Sequence, residues 1–384
     1  MLLLAALYAS TIFALTNSAK LCLKINSEAE ILSRSKRDDS KTPCSDFTIV
    51  DPEDVKFHAF GHSVVPPWTR KDSGINPKLI SSPILAQRWE EILGMPVEGL
   101  GDHTVQSVMA FYNSKGCLLT PWGGTVRDMV LGKTPRDVDA EVTCSPEALK
   151  DMCDQKYGSS KCFKRSSGVV NVGTQDPDDE GKAEPFDLAQ WNYTYWSPLT
   201  TWEFTTNNMA FYDDLYGTRV LIDLTGNGFQ DTCDKAIRIS APPELWDDWA
   251  DGYKVLRYWK LRMKGYHPAD DKNREFNFEK ARALPTQEDI QKYYCRVAFE
   301  GAYDGDKNSC DVFEDAFVHN KRDQLRKVLT EDLGGKYWRE KVEPAISGLQ
   351  FATIDMPSSA AKLCCKNVLL LCLVVIIVNC FNLL

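Results

Sequence analysis

The sequence predicts an α+β fold, in which strands and helices are mixed in the first part of the chain and helices follow in the second. The stretch GGTVRDMVLGKTPRDVDAEVT (123–143) follows an apolar run and has the pattern of a helix, a turn and a strand in succession. Candidate helices then recur at 287–299, 310–329 and 335–346. The 384 residues, of which 43% are hydrophobic, suffice for two compact units.

A glycine pair, Gly123 and Gly124, follows the apolar run at 117–119 after three intervening residues. Glycine lets the backbone approach a phosphate closely, and the N–H groups at the start of a helix attract an anion. Arg127 and Asp128 are expected to open the helix that follows. The order of these residues therefore predicts a phosphate-binding turn.

Two aspartates, Asp137 and Asp139, open the next apolar alternation. Alternate residues of a strand share a face, so both carboxylates are expected on one side while Val138 turns into the core. Two carboxylates on one face repel each other unless a hard cation neutralises them. The pair predicts a binding site for Mg²⁺ or Mn²⁺; the alternative for a D-x-D pair taken alone is a strand whose solvent face carries two aspartates.

The complete spacing of the glycine pair, V-R-D, L-G and D-x-D resembles the head domain of class II tRNA nucleotidyltransferases and bacterial poly(A) polymerases. These belong to the DNA polymerase beta-like nucleotidyltransferase superfamily. The resemblance implies a nucleotidyltransferase head with a mixed β-sheet and flanking helices, followed by a short all-helical neck and body. It also implies metal-dependent transfer of a nucleotide from an NTP to a hydroxyl acceptor, with an RNA 3′ end as the candidate acceptor.

The resemblance assigns roles to individual side chains. Asp137 and Asp139 would bind the metal, and Asp187 on a later strand would complete a catalytic trio, with Glu184 as the second choice. The residues implied in nucleotide binding are Gly123, Gly124, Arg127, Asp128, Asn207, Asp251, Lys254 and Arg257.

The neck segment that begins at Asp251 resembles the family's D-P-L-R-x-L-R helix, whose aspartate and first arginine read the incoming base. Lys254 stands in place of that arginine, and a lysine lacks the planar pair of donors. On a helical projection Lys254 shares a basic face with Arg257, Lys260 and Lys264. The alternative is a solvated basic face on an amphipathic helix.

The segment from Glu203 to Asn207 resembles the family motif R-R-D-F-T-x-N-A, with two departures. Glu203 replaces the aspartate, and Thr201 and Trp202 replace two arginines that grip the triphosphate in the family. Bidentate contacts between guanidinium and phosphate are thereby lost. An alternative function is therefore a catalytically degenerate head that serves as a cell-surface nucleotide-binding or structural module. A sensor of nucleotides or small phosphorylated ligands is a third hypothesis.

Both ends of the chain indicate an exported protein. An apolar run at 2–15 is typical of a signal peptide, and a second run at 368–378 resembles a GPI-attachment signal or a single transmembrane helix. The basic cluster at 34–37 reads as a processing site, with a solvated charge run as the alternative. The expected location is the secretory pathway and the extracellular face of the plasma membrane, with the membrane as a partner.

The predicted organisation has six parts, and the N-terminal extension contains one expected helix at 84–93. The parts are a signal peptide at 1–19, a propeptide at 20–37, an N-terminal extension at 38–104, the nucleotidyltransferase head at 105–240, the helical neck and body at 241–350 and the C-terminal anchor signal at 358–384.

The cysteine content agrees with export. Of the 13 cysteines, those between the two ends form an even set, which predicts disulfides without specifying their pairing. They are Cys44, Cys117, Cys144, Cys153, Cys162, Cys233, Cys295 and Cys310. No C-x-x-C pair occurs, so no zinc is expected, and Asn192 is the predicted glycosylation site. A net charge of −9 predicts weak long-range attraction for RNA.

Overall fold

The structure, a computed structural model, describes residues 44–51, 58–59, 62–63, 77–97, 99–135, 137–164, 168–173, 186–190, 203–213, 219–313 and 320–354. The predicted signal peptide, propeptide and anchor signal lie outside the described residues, and so do Glu184, Asn192, Thr201 and Trp202.

The strands are, in chain order, β1 (Thr48–Val50), β2 (His58–Ala59), β3 (His62–Ser63), β4 (Lys78–Ser81), β5 (Leu119–Pro121), β6 (Val138–Val142), β7 (Cys162–Lys164), β8 (Val170–Val172), β9 (Phe186–Gln190), β10 (Met209–Asp213), β11 (Arg219–Asp223), β12 (Ala236–Ile237), β13 (His267–Pro268), β14 (Ala302–Asp304), β15 (Ser309–Phe313) and β16 (Gln350–Ile354).

The α-helices are α1 (Pro83–Leu93), α2 (Val105–Ser114), α3 (Gly123–Val130), α4 (Pro146–Tyr157), α5 (Gly228–Cys233), α6 (Trp246–Trp249), α7 (Gly252–Met263), α8 (Asp271–Ala283), α9 (Gln287–Ala298), α10 (Arg322–Leu333), α11 (Gly335–Tyr337) and α12 (Glu343–Ile346). A π-helical turn, Trp338–Val342, joins α11 to α12.

The central sheet of the head has the strand order β5-β6-β9-β8-β7 and is mixed, because β6 and β9 are parallel while the other neighbours are antiparallel. Along β6, Val138, Ala140 and Val142 are buried, and the residues between them face the other side. In the β6–β9 register Asp139 lies opposite Asp187. The mixed sheet with flanking helices is confirmed.

Helix α3 follows β5 directly and packs on the central sheet. Its apolar side chains Val126, Met129 and Val130 are buried in one core with Val138 of β6. Just before the helix, the backbone N–H of Trp122 donates to the carbonyl oxygen of Asp139 at 2.9 Å. The start of α3 is thereby fixed beside the first residues of β6.

The predicted N-terminal extension contributes to a second sheet of the head. Its strand β4 pairs with β11, in the antiparallel order β1-β4-β11-β10. The helix expected at 84–93 is confirmed as α1, whose N-cap is the Ser82 side chain. Trp89 of α1 is fully buried, and its indole Nε1–H donates to Asp213 Oδ2 at 2.8 Å.

All eight cysteines of the predicted set are paired. The disulfides are Cys44–Cys233, Cys117–Cys144, Cys153–Cys162 and Cys295–Cys310. The first joins the N-terminal extension to the end of α5, the next two lie within the head, and the last joins α9 to β15.

The body is mainly helical, as expected, and it also contains a three-stranded sheet of order β14-β15-β16. It is therefore not all-helical. The helix expected at 310–329 begins only at Arg322, because the preceding residues form β15. That strand pairs with β14 on one side and with β16 on the other, about forty residues later. Pairing between strands so far apart in the chain does not change the hydrophobic periodicity of the local sequence, so that periodicity could not indicate a strand here.

Helices α7, α9 and α10 build the core of the body around large aromatic side chains. Trp259 of α7 is fully buried, and its Nε1–H donates to Asp332 Oδ2 at 3.0 Å. The helix expected at 335–346 is present as α11, the π-helical turn and α12. Within the described residues, no helix has both the length and the apolar character required to cross a bilayer.

Candidate active site

A cavity of about 650 Å³ lies between the face of the central sheet, the start of α3 and the helices of the body. Most of the residues predicted to form the site line this cavity. They are Gly123, Gly124, Arg127, Asp128, Asp137, Asp139, Asp187, Asn207 and Arg257.

Two predicted nucleotide contacts, Asp251 and Lys254, are not among the residues that line the cavity. Asp251 is the N-cap of α7, since its Oδ1 accepts from the backbone N–H of Lys254 at 2.7 Å. The Lys254 ammonium lies 3.3 Å from Asp251 Oδ2 and donates to the carbonyl of Trp249. The cavity wall instead uses the next turns of α7, which carry Arg257 and Lys260.

Three carboxylates meet on the head side of the cavity. Asp139 and Asp187 are register partners on parallel strands, and Asp137 lies just before β6. Burial raises the pKa of Asp139 to about 7, and the neighbouring charges of Asp137 and Asp187 add to this effect. Arg127 and Lys260 act in the opposite direction. The trio therefore gains from a cation that neutralises it.

The donor chemistry of this trio fits Mg²⁺ or Mn²⁺, because all its donor atoms are hard carboxylate oxygens. In the part of the chain that the structure describes, no three His, Cys, Asp or Glu side chains form a ready-made metal site. Mg²⁺ at phosphate-handling sites takes one or two carboxylates and completes its coordination with phosphate and water. The residues thus fit a metal shared with a bound nucleotide.

The glycine pair brings backbone close to these carboxylates. Gly123 has a φ of +57°, a conformation that favours glycine. A Cβ atom on Gly124 would lie 3.3 Å from Asp139 Oδ2. The residue before the helix, Trp122, provides no side-chain cap, so the first N–H groups of α3 remain available to an anion.

Arg127 lies in the middle of α3, because this helix begins at Gly123 and not at Arg127 as expected. Its Nη1 donates to Asn207 Oδ1 at 2.5 Å, and its Nε donates to Asp128 Oδ1 at 3.2 Å. The side chain is nearly buried, and these two contacts hold the guanidinium at the cavity wall.

Residues 121–238 match the protein family described as the poly A polymerase head domain. The chain carries a nucleotidyltransferase head domain. This match includes the glycine pair, the carboxylate trio and Asn207.

Solved structures similar to the chain include the CCA-adding enzyme of Thermotoga maritima in complex with tRNA, at 16% identity and a TM-score of 0.39, over 50% of this chain and 45% of that one. A tRNA nucleotidyltransferase with a primer tRNA and an incoming ATP analogue matches at 17% identity and a TM-score of 0.40, over 59% and 62% of the two chains. An apo form of a tRNA-processing enzyme matches at 19% identity and a TM-score of 0.42, over 64% of this chain and 61% of that one. This chain thus spans between about half and two thirds of their lengths. No curated protein matches at a significant level.

Sequence reasoning missed two polar residues beside the head-domain trio. Asn171 of β8 is buried, and its Nδ2–H donates to Asp187 Oδ1. Glu141 lines the cavity on the same face of β6 as Asp139, and burial raises its pKa to about 8. Glu141 could have been found from its spacing of two residues after Asp139, whereas no sequence signal pointed to Asn171.

The opposite wall of the cavity is basic and comes from the body. Lys260 of α7 and Lys264, which follows the last residue of this helix, line it together with Arg296 of α9 and Lys321 just before α10. Burial lowers the pKa of Lys264 to about 8, and the positive charge of Arg127 adds to this effect. A phosphate in the cavity would lie between carboxylates on one side and cations on the other.

Proposed function

We propose that the protein is a metal-dependent nucleotidyltransferase, which transfers a nucleotide from an NTP to a hydroxyl acceptor such as an RNA 3′ end. The observation that carries this proposal is the meeting of Asp137, Asp139 and Asp187 with the start of α3 in one cavity. The match to a poly A polymerase head domain over 121–238 supports it.

Several residues of the chain would bind and orient the triphosphate of the nucleotide. Gly123 and Gly124 let a triphosphate approach the N–H groups of α3, where the helix dipole favours negative charge. Arg127, held by Asn207, adds a fixed positive charge beside them. Lys260 and Lys264 provide further positive charge from the facing wall. Together they would orient the triphosphate for attack by an acceptor.

Asp137, Asp139 and Asp187 would hold Mg²⁺ or Mn²⁺, which when bound offsets negative charge in an in-line displacement at phosphorus. The hydrogen bond from Asn171 fixes the orientation of the Asp187 carboxylate before any ligand binds. The buried backbone of β6 and β9 keeps the three carboxyl groups at fixed positions. The chain therefore supplies a preorganised acidic wall.

The test is nucleotide incorporation by the full chain with its disulfides intact. Each α-labelled NTP is incubated with a short RNA that has a free 3′ hydroxyl, in the presence of Mg²⁺ or Mn²⁺. We expect extended RNA with the wild type and none with the Asp137→Ala/Asp139→Ala variant. The control for folding is the Asp332→Asn variant, because Asp332 of α10 pairs with Arg262 and neither residue lines the cavity. Absence of transfer to any acceptor would refute this function.

A second candidate is a head that binds nucleotides without turnover. The sequence favours it at Thr201 and Trp202, where the family has two phosphate-binding arginines. Calorimetry with ATP, CTP, GTP and UTP separates the two proposals. Metal-dependent binding without transfer supports the binding module, and loss of that binding in Asp137→Ala/Asp139→Ala places it at the trio.

We also propose that the protein acts outside the cytosol, attached to a membrane by its C-terminal segment. The four disulfides support this location, because such bonds persist in oxidising compartments. Surface biotinylation of intact cells tests the location. Release by a phosphatidylinositol-specific phospholipase would indicate a GPI anchor, and retention would indicate a transmembrane helix.

A further inference from the structure

We propose that Glu203 and Arg257 form a phosphate clamp, in which Glu203 orients the Arg257 guanidinium so that its remaining donors bind a phosphate group in the cavity. The proposal rests on the proposed function, since it concerns the same cavity. It assigns a positioning role to Glu203, and it specifies how Arg257 acts.

The two residues come from different parts of the chain. Glu203 is the first residue of the described segment 203–213, and Arg257 lies on α7 of the neck. The Arg257 Nε is 2.7 Å from Glu203 Oε1. The Glu203 side chain is 7% exposed, whereas that of Arg257 is 27% exposed and lines the cavity. The pair thus has a buried acidic end and an accessible basic end.

Arg257 retains most of its hydrogen-bonding capacity. A guanidinium has five N–H donors, and the contact with Glu203 involves the one on Nε. Within the described residues, its Nη1 and Nη2 groups make no hydrogen bond. These donors lie on the side chain that reaches the cavity, and their planar arrangement matches two oxygens of a phosphate.

The burial of Glu203 is difficult to explain by stability alone. Its Oε2 atom is buried and has no hydrogen-bond partner among the described residues. A buried carboxylate with one oxygen unsatisfied is costly, and a buried ion pair often contributes little net stability. Fixing the direction of a functional guanidinium accounts for this arrangement.

A second arginine of the cavity is held by the same short segment. Asn207, four residues after Glu203, accepts from Arg127 Nη1 at 2.5 Å. Phe204, which lies between them, also lines the cavity. The segment 203–207 therefore holds one arginine of the head and one of the neck beside a single cavity. Since Thr201 and Trp202 cannot act as guanidinium donors, α7 supplies the fork instead.

The phosphate could belong to the nucleotide or to the acceptor, and binding experiments separate these sources. Calorimetry of the full chain with Mg²⁺ uses inorganic tripolyphosphate, ATP and adenosine in one arm. A short oligonucleotide without NTP is the other arm. The variants are Arg257→Gln, Arg257→Lys and Glu203→Gln, with Asp332→Asn as the control, because Asp332 pairs with Arg262 elsewhere on α7.

We expect Arg257→Gln to weaken ATP and tripolyphosphate binding about tenfold and to leave adenosine binding unchanged. Arg257→Lys should restore only part of the affinity, because an ammonium lacks the fork. If only oligonucleotide binding falls, the clamp holds an acceptor phosphate. Unchanged binding of every phosphate probe in Arg257→Gln would overturn the proposal.

A double variant distinguishes positioning from a general effect on folding. Glu203→Gln should weaken phosphate binding in the wild-type background and have no further effect when Arg257 is already glutamine. An equal loss in both backgrounds would show that Glu203 acts independently of Arg257 and would refute the positioning role. These measurements need no turnover, so they remain decisive even if the protein transfers no nucleotide.

Discussion

Asn207 Oδ1 lies 2.5 Å from Arg127 Nη1, and this hydrogen bond joins the segment before β10 to the middle of α3. Both side chains are largely buried, and both line the cavity that contains the carboxylate trio. The contact fixes an arginine beside the N–H groups that begin α3. Asn207, which matches the asparagine of the family motif, therefore positions the Arg127 side chain.

We expect Asn207→Ala to weaken NTP binding about tenfold, because Arg127 loses the acceptor that holds it. The free energy of unfolding should fall by about 1–2 kcal/mol, as for a lost buried hydrogen bond. Calorimetry and denaturant unfolding measure the two effects. Asn277→Ala, which removes a buried side-chain bond to the carbonyl of Asn273 in α8 of the body, is the matched control. Equal NTP binding by wild type and Asn207→Ala would contradict this role.

Gly124→Ala should reduce metal-dependent nucleotide binding by at least about tenfold without unfolding the protein. The new methyl group would lie 3.3 Å from Asp139 Oδ2, in the space where backbone meets the carboxylate trio. Alanine within a helix is otherwise favoured over glycine by roughly 0.5–1 kcal/mol. The thermal midpoint should therefore stay the same or rise. Gly335→Ala, in α11, serves as control, and normal binding by Gly124→Ala would disprove the close approach.

The Glu141 carboxyl should make the stability of the protein depend on pH. Burial raises its pKa from 4.5 to about 8, so the folded state holds this proton more tightly than the unfolded chain. The free energy of unfolding should therefore fall as pH rises from about 5 to 8.

Glu141→Gln removes this proton exchange and should flatten that part of the pH profile. At pH 8 the variant should be more stable than the wild type by about 1–2 kcal/mol. Urea unfolding at several pH values without divalent metal measures the difference. A wild-type profile that Glu141→Gln leaves unchanged would mean that this carboxyl is not desolvated.

Removal of Cys295–Cys310 should destabilise the body more than the head. The bond closes a loop of 15 residues, for which the loss is about 3 kcal/mol. The change is Cys295→Ser with Cys310→Ser, followed by denaturant unfolding and nucleotide binding. The Cys153→Ser/Cys162→Ser pair, with a separation of 9, should cost somewhat less. A larger loss from the shorter loop would contradict the expectation.

Much of the site could be predicted from local patterns. The period of two along a strand places Asp137 and Asp139 on one face, and the structure has both on the cavity. The glycine pair predicts a close approach of the backbone to its neighbours. The positive φ of Gly123 and the short distance from Gly124 to the Asp139 carboxylate agree with this prediction. These features depend on neighbours within a few residues, so the sequence contains the necessary information.

Predictions failed where pairing occurs over long distances in the chain. The helix expected at 310–329 is partly β15, whose partner β16 lies about forty residues further on. Asp251 caps α7 away from the cavity wall, because the helix turns Arg257 and Lys260 toward the head instead. Which face of α7 meets the cavity depends on the packing of Trp259 and its neighbours in the body.

The sequence by itself determined the class of the fold, the glycine turn at the start of α3, the acidic face of β6 and the set of cysteines available for disulfides. Each follows from short-range geometry or from composition. Only the tertiary structure decided which cysteines pair, that Asn171 fixes Asp187, and that Glu203 and Asn207 hold two arginines from different elements. These contacts join residues far apart in the chain, and their formation depends on the packing of whole sheets and helices. Local sequence therefore specified the chemical groups, while tertiary packing selected their partners.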